Sequence, residues 1–256
     1  MKKLNTRKWT ATAAASAFML TYAANAANIG FVVGSSGMDG TRPFDIGWTN
    51  RLIQQGHSVT VFLHNQGSLP EVTNMDLFII SEAVSGSTAW NNFGNVPKPL
   101  ITYEAAIYGN IFGCTGNGID GSINPVTITI LDPSDPLAAG LSGNVTIYSG
   151  PAGVTVPRFT LGTGSSGTME IAVRAGVPNN VVLALLPANT PGGGGQSWPA
   201  LRMSVPVYGN WDPNSVTPDG WKLLDNAVNY ALIPEPSAVA LLGLGMASFL
   251  ARRQRR

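Results

Sequence analysis

Five side chains capable of acid–base, hydroxyl or ligand-binding chemistry fall directly behind, or close, short apolar runs of this chain. Ser35 and Asp39 follow residues 29–34, His64 follows 58–63, Glu82 follows 75–81, and Glu104 closes 99–104. If those runs are parallel strands, the five converge on one sheet edge. That edge lies outside the carboxyl ends, where open α/β sheets bind ligands. There the two glutamates and Asp39 can hold a cation or sugar hydroxyls, and one of them can act as a general base. The same glutamates can instead accept hydrogen bonds from loop N–H groups and hold the crossovers in place. The sequence is compatible with both.

Other chemistry is thin. Cys114 is the single cysteine, which excludes an intrachain disulfide and a structural cysteine-zinc site. It follows residues 107–112, which read as loop or helix as readily as strand. The histidines, His57 and His64, both lie early in the chain, so Cys114 is expected to be a buried small residue. The run Gly34-Ser35-Ser36-Gly37-Met38-Asp39-Gly40 is not G-x-G-x-x-G, and no P-loop or G-x-S-x-G elbow occurs. No catalytic set, metal or cofactor is expected. Trp90, Trp198, Trp211 and Trp221, with Tyr103, Tyr108 and Tyr208, are candidate stacking platforms for polysaccharide. Their irregular spacing favours core packing.

The elements that must position the five residues alternate over the first half. Residues 29–34 are a continuous apolar run, as a strand buried on both faces requires. Residues 44–55 carry apolar side chains at 44, 48, 52 and 53, a helical spacing that ends at Gly56. Strands follow at 58–63, 75–81 and 99–104. The second half is β-rich at 126–131, 145–149, 169–174 and 181–186. A turn and short helix over 132–141 start at Asp135, and a glycine-rich loop spans 190–196. Thr217-Pro218-Asp219-Gly220 opens a last helix, 221–232, with a broad apolar stripe. The fold class is α/β: a parallel, flavodoxin-like sheet first, partly antiparallel strands later, and a closing helix.

Charge divides the chain differently. Four of its 15 basic residues lie in the first eight positions and four in the last five. Residues 28–233 keep seven basic against 13 acidic residues, a formal net charge of −6. Such a body has no electrostatic footprint for nucleic acid.

Both ends read as export signals. Lys2, Lys3, Arg7 and Lys8 precede a modest apolar stretch, 11–22, and the small residues Ala24-Asn25-Ala26 offer cleavage before Ala27. No twin-arginine pair is present, so the general secretion machinery is the expected route. At the other end Pro234-Glu235-Pro236 is followed by an uncharged run, 237–251, and by Arg252, Arg253, Arg255 and Arg256. As a helix those 15 residues span about 22 Å, short of the ~30 Å hydrocarbon core. The arginines can snorkel to the headgroups and hold the terminus on the cytoplasmic side. A C-terminal transmembrane helix is therefore expected, with the membrane as a partner.

The tail resembles the PEP-CTERM sorting signal of bacterial surface proteins, which implies recognition and cutting by an exosortase near residues 234–236. Exosortase systems accompany extracellular polysaccharide, so the resemblance also implies a polysaccharide-rich surface or matrix as the destination. A second resemblance is carried by Asp76-Leu77-Phe78-Ile79-Ile80-Ser81-Glu82, Tyr103-Glu104, the stretch 132–141 and the closing 217–231. These look like class I glutamine-amidotransferase-like domains, a group with many non-catalytic members. The division implied is a signal peptide over 1–26, an amidotransferase-like domain over 27–232 and a sorting tail over 233–256. An exported, non-catalytic envelope protein is the expected function. Its rival is a secreted carbohydrate-active hydrolase using the strand-end carboxylates.

Overall fold

The computed structural model describes residues 26–233 except 39–41, 68, 163–166 and 193–194. The signal-peptide segment before Ala26, the sorting tail with its expected transmembrane helix, and Asp39 all lie outside the described residues. Among the described residues no helix is long and apolar enough to cross a membrane.

The parallel half contains β1 (Asn28–Val33), β2 (Ser58–Leu63), β3 (Leu77–Ile80) and β4 (Leu100–Thr102). β1 lies between β2 and β3, and β3 pairs with β4, all parallel. Successive side chains of a strand face opposite ways, and here each face meets its own helices. Ile29, Phe31 and Val33 of β1, with Leu77 and Ile79 of β3, pack on α1 (Pro43–Gln54) through Phe44, Trp48 and Leu52. Val32, Phe78 and Ile80 face Ala89 and Phe93 of α2 (Gly86–Phe93) and Ile111 and Phe112 of α3 (Tyr108–Phe112). Two-sided burial explains why β1 and β3 read as unbroken apolar runs. α1 ends where Gly56 adopts φ +92°, a left-handed conformation in which a side chain would be strained.

The later strands are β5 (Gly116–Ile123), β6 (Val126–Ile130), β7 (Gly143–Tyr148), β8 (Val154–Thr160), β9 (Met169–Arg174), β10 (Val181–Leu186) and β11 (Arg202–Ser204). β10, β9, β6 and β7 pair antiparallel in that order, and β8 joins β5 to β10. β11 is a strand that the sequence pattern does not announce. It returns to the first half, pairing parallel with β4 on one side and antiparallel with β10 on the other. One continuous sheet results. The helix α4 (Pro218–Leu232) closes the α1 face. Its cap Thr217 accepts from the Gly220 N–H at 3.0 Å, and Arg51 of α1 grips Asp225 through Nε at 2.7 Å and Nη2 at 2.5 Å. A bidentate arginine clamp of this kind fixes the angle between the two helices as well as their separation.

Candidate functional site

Register decides what the carboxyl edge can collect. Val33 pairs with Leu63, Val32 with Ile80, Ile80 with Thr102, and Thr102 with Ser204. The five parallel strands therefore end nearly level, and the residues after each emerge from the same edge. Ser35, His64, Glu82 and Glu104 all sit there, as the strand-end positions require.

Their surroundings differ. Ser35 is exposed in the loop after β1. His64 works as a clamp: its Nδ1 accepts from the Ser85 N–H at 2.9 Å, and its carbonyl accepts from Asn92 Nδ2 at 2.9 Å. Those two bonds tie the end of β2 to the start and the outer face of α2. Glu104 accepts from the Ala106 N–H at 2.7 Å and caps the 3-10 turn that leads into α3. Glu82, nearly buried, faces Arg42 with Nε and Oε1 2.8 Å apart. Neither atom makes an aligned hydrogen bond, so the contact is an ion pair held by charge.

The carboxylates feel burial and one another. Burial pushes the Glu104 carboxyl from 4.5 up to about 7; the Ala106 N–H pulls it back and the Glu82 charge adds to the rise. Burial also raises Glu82, against the pull of Arg42, the Tyr208 hydroxyl and the Gly209 N–H, while Asp45 adds to the rise. Tyr208 is pushed to about 12, by burial first and then by Glu82 and Glu104. Gly209 is there because nothing larger fits: a Cβ would lie 2.6 Å from Glu82 Oε1 and 2.7 Å from Arg42 Cδ.

Behind this rim lies a second layer that the strand-end reasoning missed. Asp45, in the first turn of α1, is buried and accepts from Tyr103 Oη at 2.5 Å and from Ser81 Oγ at 2.7 Å. Ser81 Oγ in turn accepts from the Ala83 N–H at 3.1 Å. This chain links α1 to the ends of β3 and β4. One signal was available: Asp45 stands three and seven residues before Trp48 and Leu52, on the apolar stripe itself. Tyr208 and Arg42 carried no such signal, because each depends on a loop whose path only β11 and α1 define.

Chemically the edge is a set of carboxylates already engaged. Among the described residues no group of three or more His, Cys, Asp and Glu is placed to hold a metal ion. Cys114 is half-buried, not fully buried as expected, and burial raises its thiol, which keeps it protonated and weakly nucleophilic. His57 lies at the opposite edge, where its Nδ1 accepts from the Ala27 N–H at 3.3 Å. The aromatic residues are packed inside: Trp198, Trp211, Tyr103 and Tyr108 are buried, and Trp90, Trp221 and Tyr208 pack partly buried against the two cores.

The fold is a mixed α/β sheet covered on both faces, with its polar cluster at the carboxyl edge of the parallel strands. A family model described as the PEP-CTERM protein-sorting motif matches residues 232–256, so the chain carries that sorting motif. The match covers Pro234, Glu235, Pro236 and the terminal arginines Arg252, Arg253, Arg255 and Arg256. The motif implies an exported protein processed by an exosortase at the cell envelope or surface. No curated protein matches the chain. Among solved structures, a glutamine amidotransferase from Thermotoga maritima aligns over 84% of this chain and 89% of its own, with 8% identity and a TM-score of 0.43. A likeness at that level transfers no activity.

Proposed function

We propose that this chain is a cell-envelope protein that crosses the inner membrane by the general secretion route, stays tethered by residues 237–251, and is cut by an exosortase near Pro234-Glu235-Pro236. Residues 27–232 then act as a non-catalytic module at the cell surface or in a polysaccharide-rich matrix. The observation that carries this is the sorting motif over 232–256, which begins at the last residue of α4. Folded body and sorting tail thus adjoin with no linker between them, meeting at Leu232. A non-catalytic body is supported by the engagement of the edge carboxylates. Glu82 is committed to Arg42, and Glu104 to the Ala106 N–H. With those groups holding loops, the hydrolase alternative gains no support.

The test is the intact mass of the protein recovered from its native host, in membrane and released fractions. A species ending near Glu235 is expected outside the membrane. A full-length C-terminus found only in membranes overturns the processing step.

A further inference from the structure

The edge opposite the carboxylates holds an open groove of about 790 Å3. Its lining is largely apolar and includes Leu185, Pro187, Pro199, Leu201, Leu232 at the end of α4 and Ile233 just after it. Ile233, the extended residue that follows α4, is 41% exposed. Asp76, the acidic residue of the lining, is exposed, and its Oδ2 accepts from the Asn28 N–H at 2.9 Å. Lys98 is the cation of the lining.

Both ends of the described body meet in this groove. Ala26 and Ala27 line it together with Leu232 and Ile233. The carboxyl end stands four residues from an apolar run, since Ser237, the first of 237–251, follows Ile233 by four; cleavage before Ala27 separates the amino end from 11–22. Four residues reach at most about 14 Å. With 237–251 in a bilayer, the groove is within one short tether of its surface. The carboxyl edge, at the far end of strands β1, β3 and β4, points away.

From this geometry we infer that the amino edge of the parallel sheet is the face the body presses against the membrane before the tail is cut, with the groove seated in the lipid interface. The inference rests on the proposed membrane insertion of residues 237–251 and adds to it an orientation and a contact surface. The chemistry suits a phospholipid. Apolar walls take the upper acyl region, and Lys98 meets the phosphate at a depth that a snorkelling lysine reaches. The bilayer, not a second protein, is the favoured occupant because the chain's own tether brings it there. Orientation in turn fixes which side of the body is free: Ser35, His64 and Glu104 face the exterior.

The mature chain from Ala27 to Arg256, with Cys114→Ala, is reconstituted into vesicles of phosphatidylethanolamine and phosphatidylglycerol. A fluorophore is placed at Lys98→Cys or Pro199→Cys on the groove, or at Ser36→Cys in the exposed loop after β1. Quenching by a headgroup nitroxide lipid is expected to be several-fold stronger at 98 and 199 than at 36. The two groove positions guard against one substitution disturbing the fold. Flotation of the vesicles reports tethering independently of quenching. A chain that fails to float refutes both the tether and the orientation. A chain that floats but is quenched equally at all three positions, or more at 36, refutes the orientation and leaves the tether standing.

Discussion

Replacing Arg202 by methionine removes a charge that holds five backbone carbonyls together. The side chain is fully buried in β11, and Nη1 donates to Lys98, Ala200 and Leu201 at 2.9, 3.1 and 3.1 Å. Nη2 donates to Gly94 and Val96, each at 2.9 Å. Three of those carbonyls belong to the loop between α2 and β4, so the guanidinium fastens that loop to the sheet. Burial lowers its pKa to about 10, which still leaves it charged at neutral pH. Methionine fills similar volume but donates nothing. Each orphaned buried carbonyl costs about 1–3 kcal/mol, offset by the desolvation that the missing charge no longer suffers and by water reaching the loop. A net loss of about 3 kcal/mol is expected, or about 6–12 °C in Tm for a body of this size. Arg202→Lys, which keeps the charge but offers three donors, is expected to lose roughly half as much. Urea and thermal unfolding followed by circular dichroism measure both. A methionine variant within about 0.5 kcal/mol of the parent would refute the reasoning, because surface changes already scatter by that much.

Glu104 carries a pH signature of definite sign. Its folded pKa of about 7 lies above the ordinary 4.5, so its contribution is complete below about 4.5 and is lost as pH rises through 7. Wild-type stability is expected to drop by about 1–3 kcal/mol more across that interval than that of Glu104→Gln, and parallel pH profiles contradict the assignment. Asp45→Ala leaves the hydroxyls of Ser81 and Tyr103 without their acceptor and is expected to cost about 2–5 kcal/mol. Coupling to Tyr103→Phe in a double-mutant cycle should be at least about 1 kcal/mol, whereas additive losses mean the bond is worth little. Gly209→Ala places a methyl against Glu82 and Arg42 and is expected to cost about 1–3 kcal/mol. An unchanged melting curve would show that the ion pair moves aside freely.

Much of the parallel half was readable because burial on both faces forces a composition. β1 and β3 are nearly all apolar, β2 is rich in β-branched residues, and α1 stops at a glycine that takes positive φ. The strand-end positions of His64, Glu82 and Glu104 follow from those strands alone. Other elements gave weak signals for separate reasons. β5 reads Gly-Asn-Gly-Ile-Asp-Gly-Ser-Ile, with three glycines that lower strand propensity, and β8 holds a proline, Pro157. Three residues, one a buried arginine, are too few to announce β11 as an inner strand. α2 carries Gly, Ser, Thr and two Asn in eight residues and is held by packing rather than propensity. The partners of Glu82 stayed hidden with those elements, since Tyr208 and Gly209 lie on the path out of β11.

β11 also sets an order of assembly. It lies between β4 and β10, yet it arrives about a hundred residues after β4. A chain threaded amino end first therefore delivers two half-sheets, each with a raw inner edge, and neither can be sealed until residues 202–204 emerge. α4 follows to close the α1 face, and the sorting motif begins at its last residue. The piece that locks the body and the segment that is cut are thus consecutive in the order of emergence. By the time Pro234-Glu235-Pro236 emerges, every strand needed to hide those edges has already been delivered.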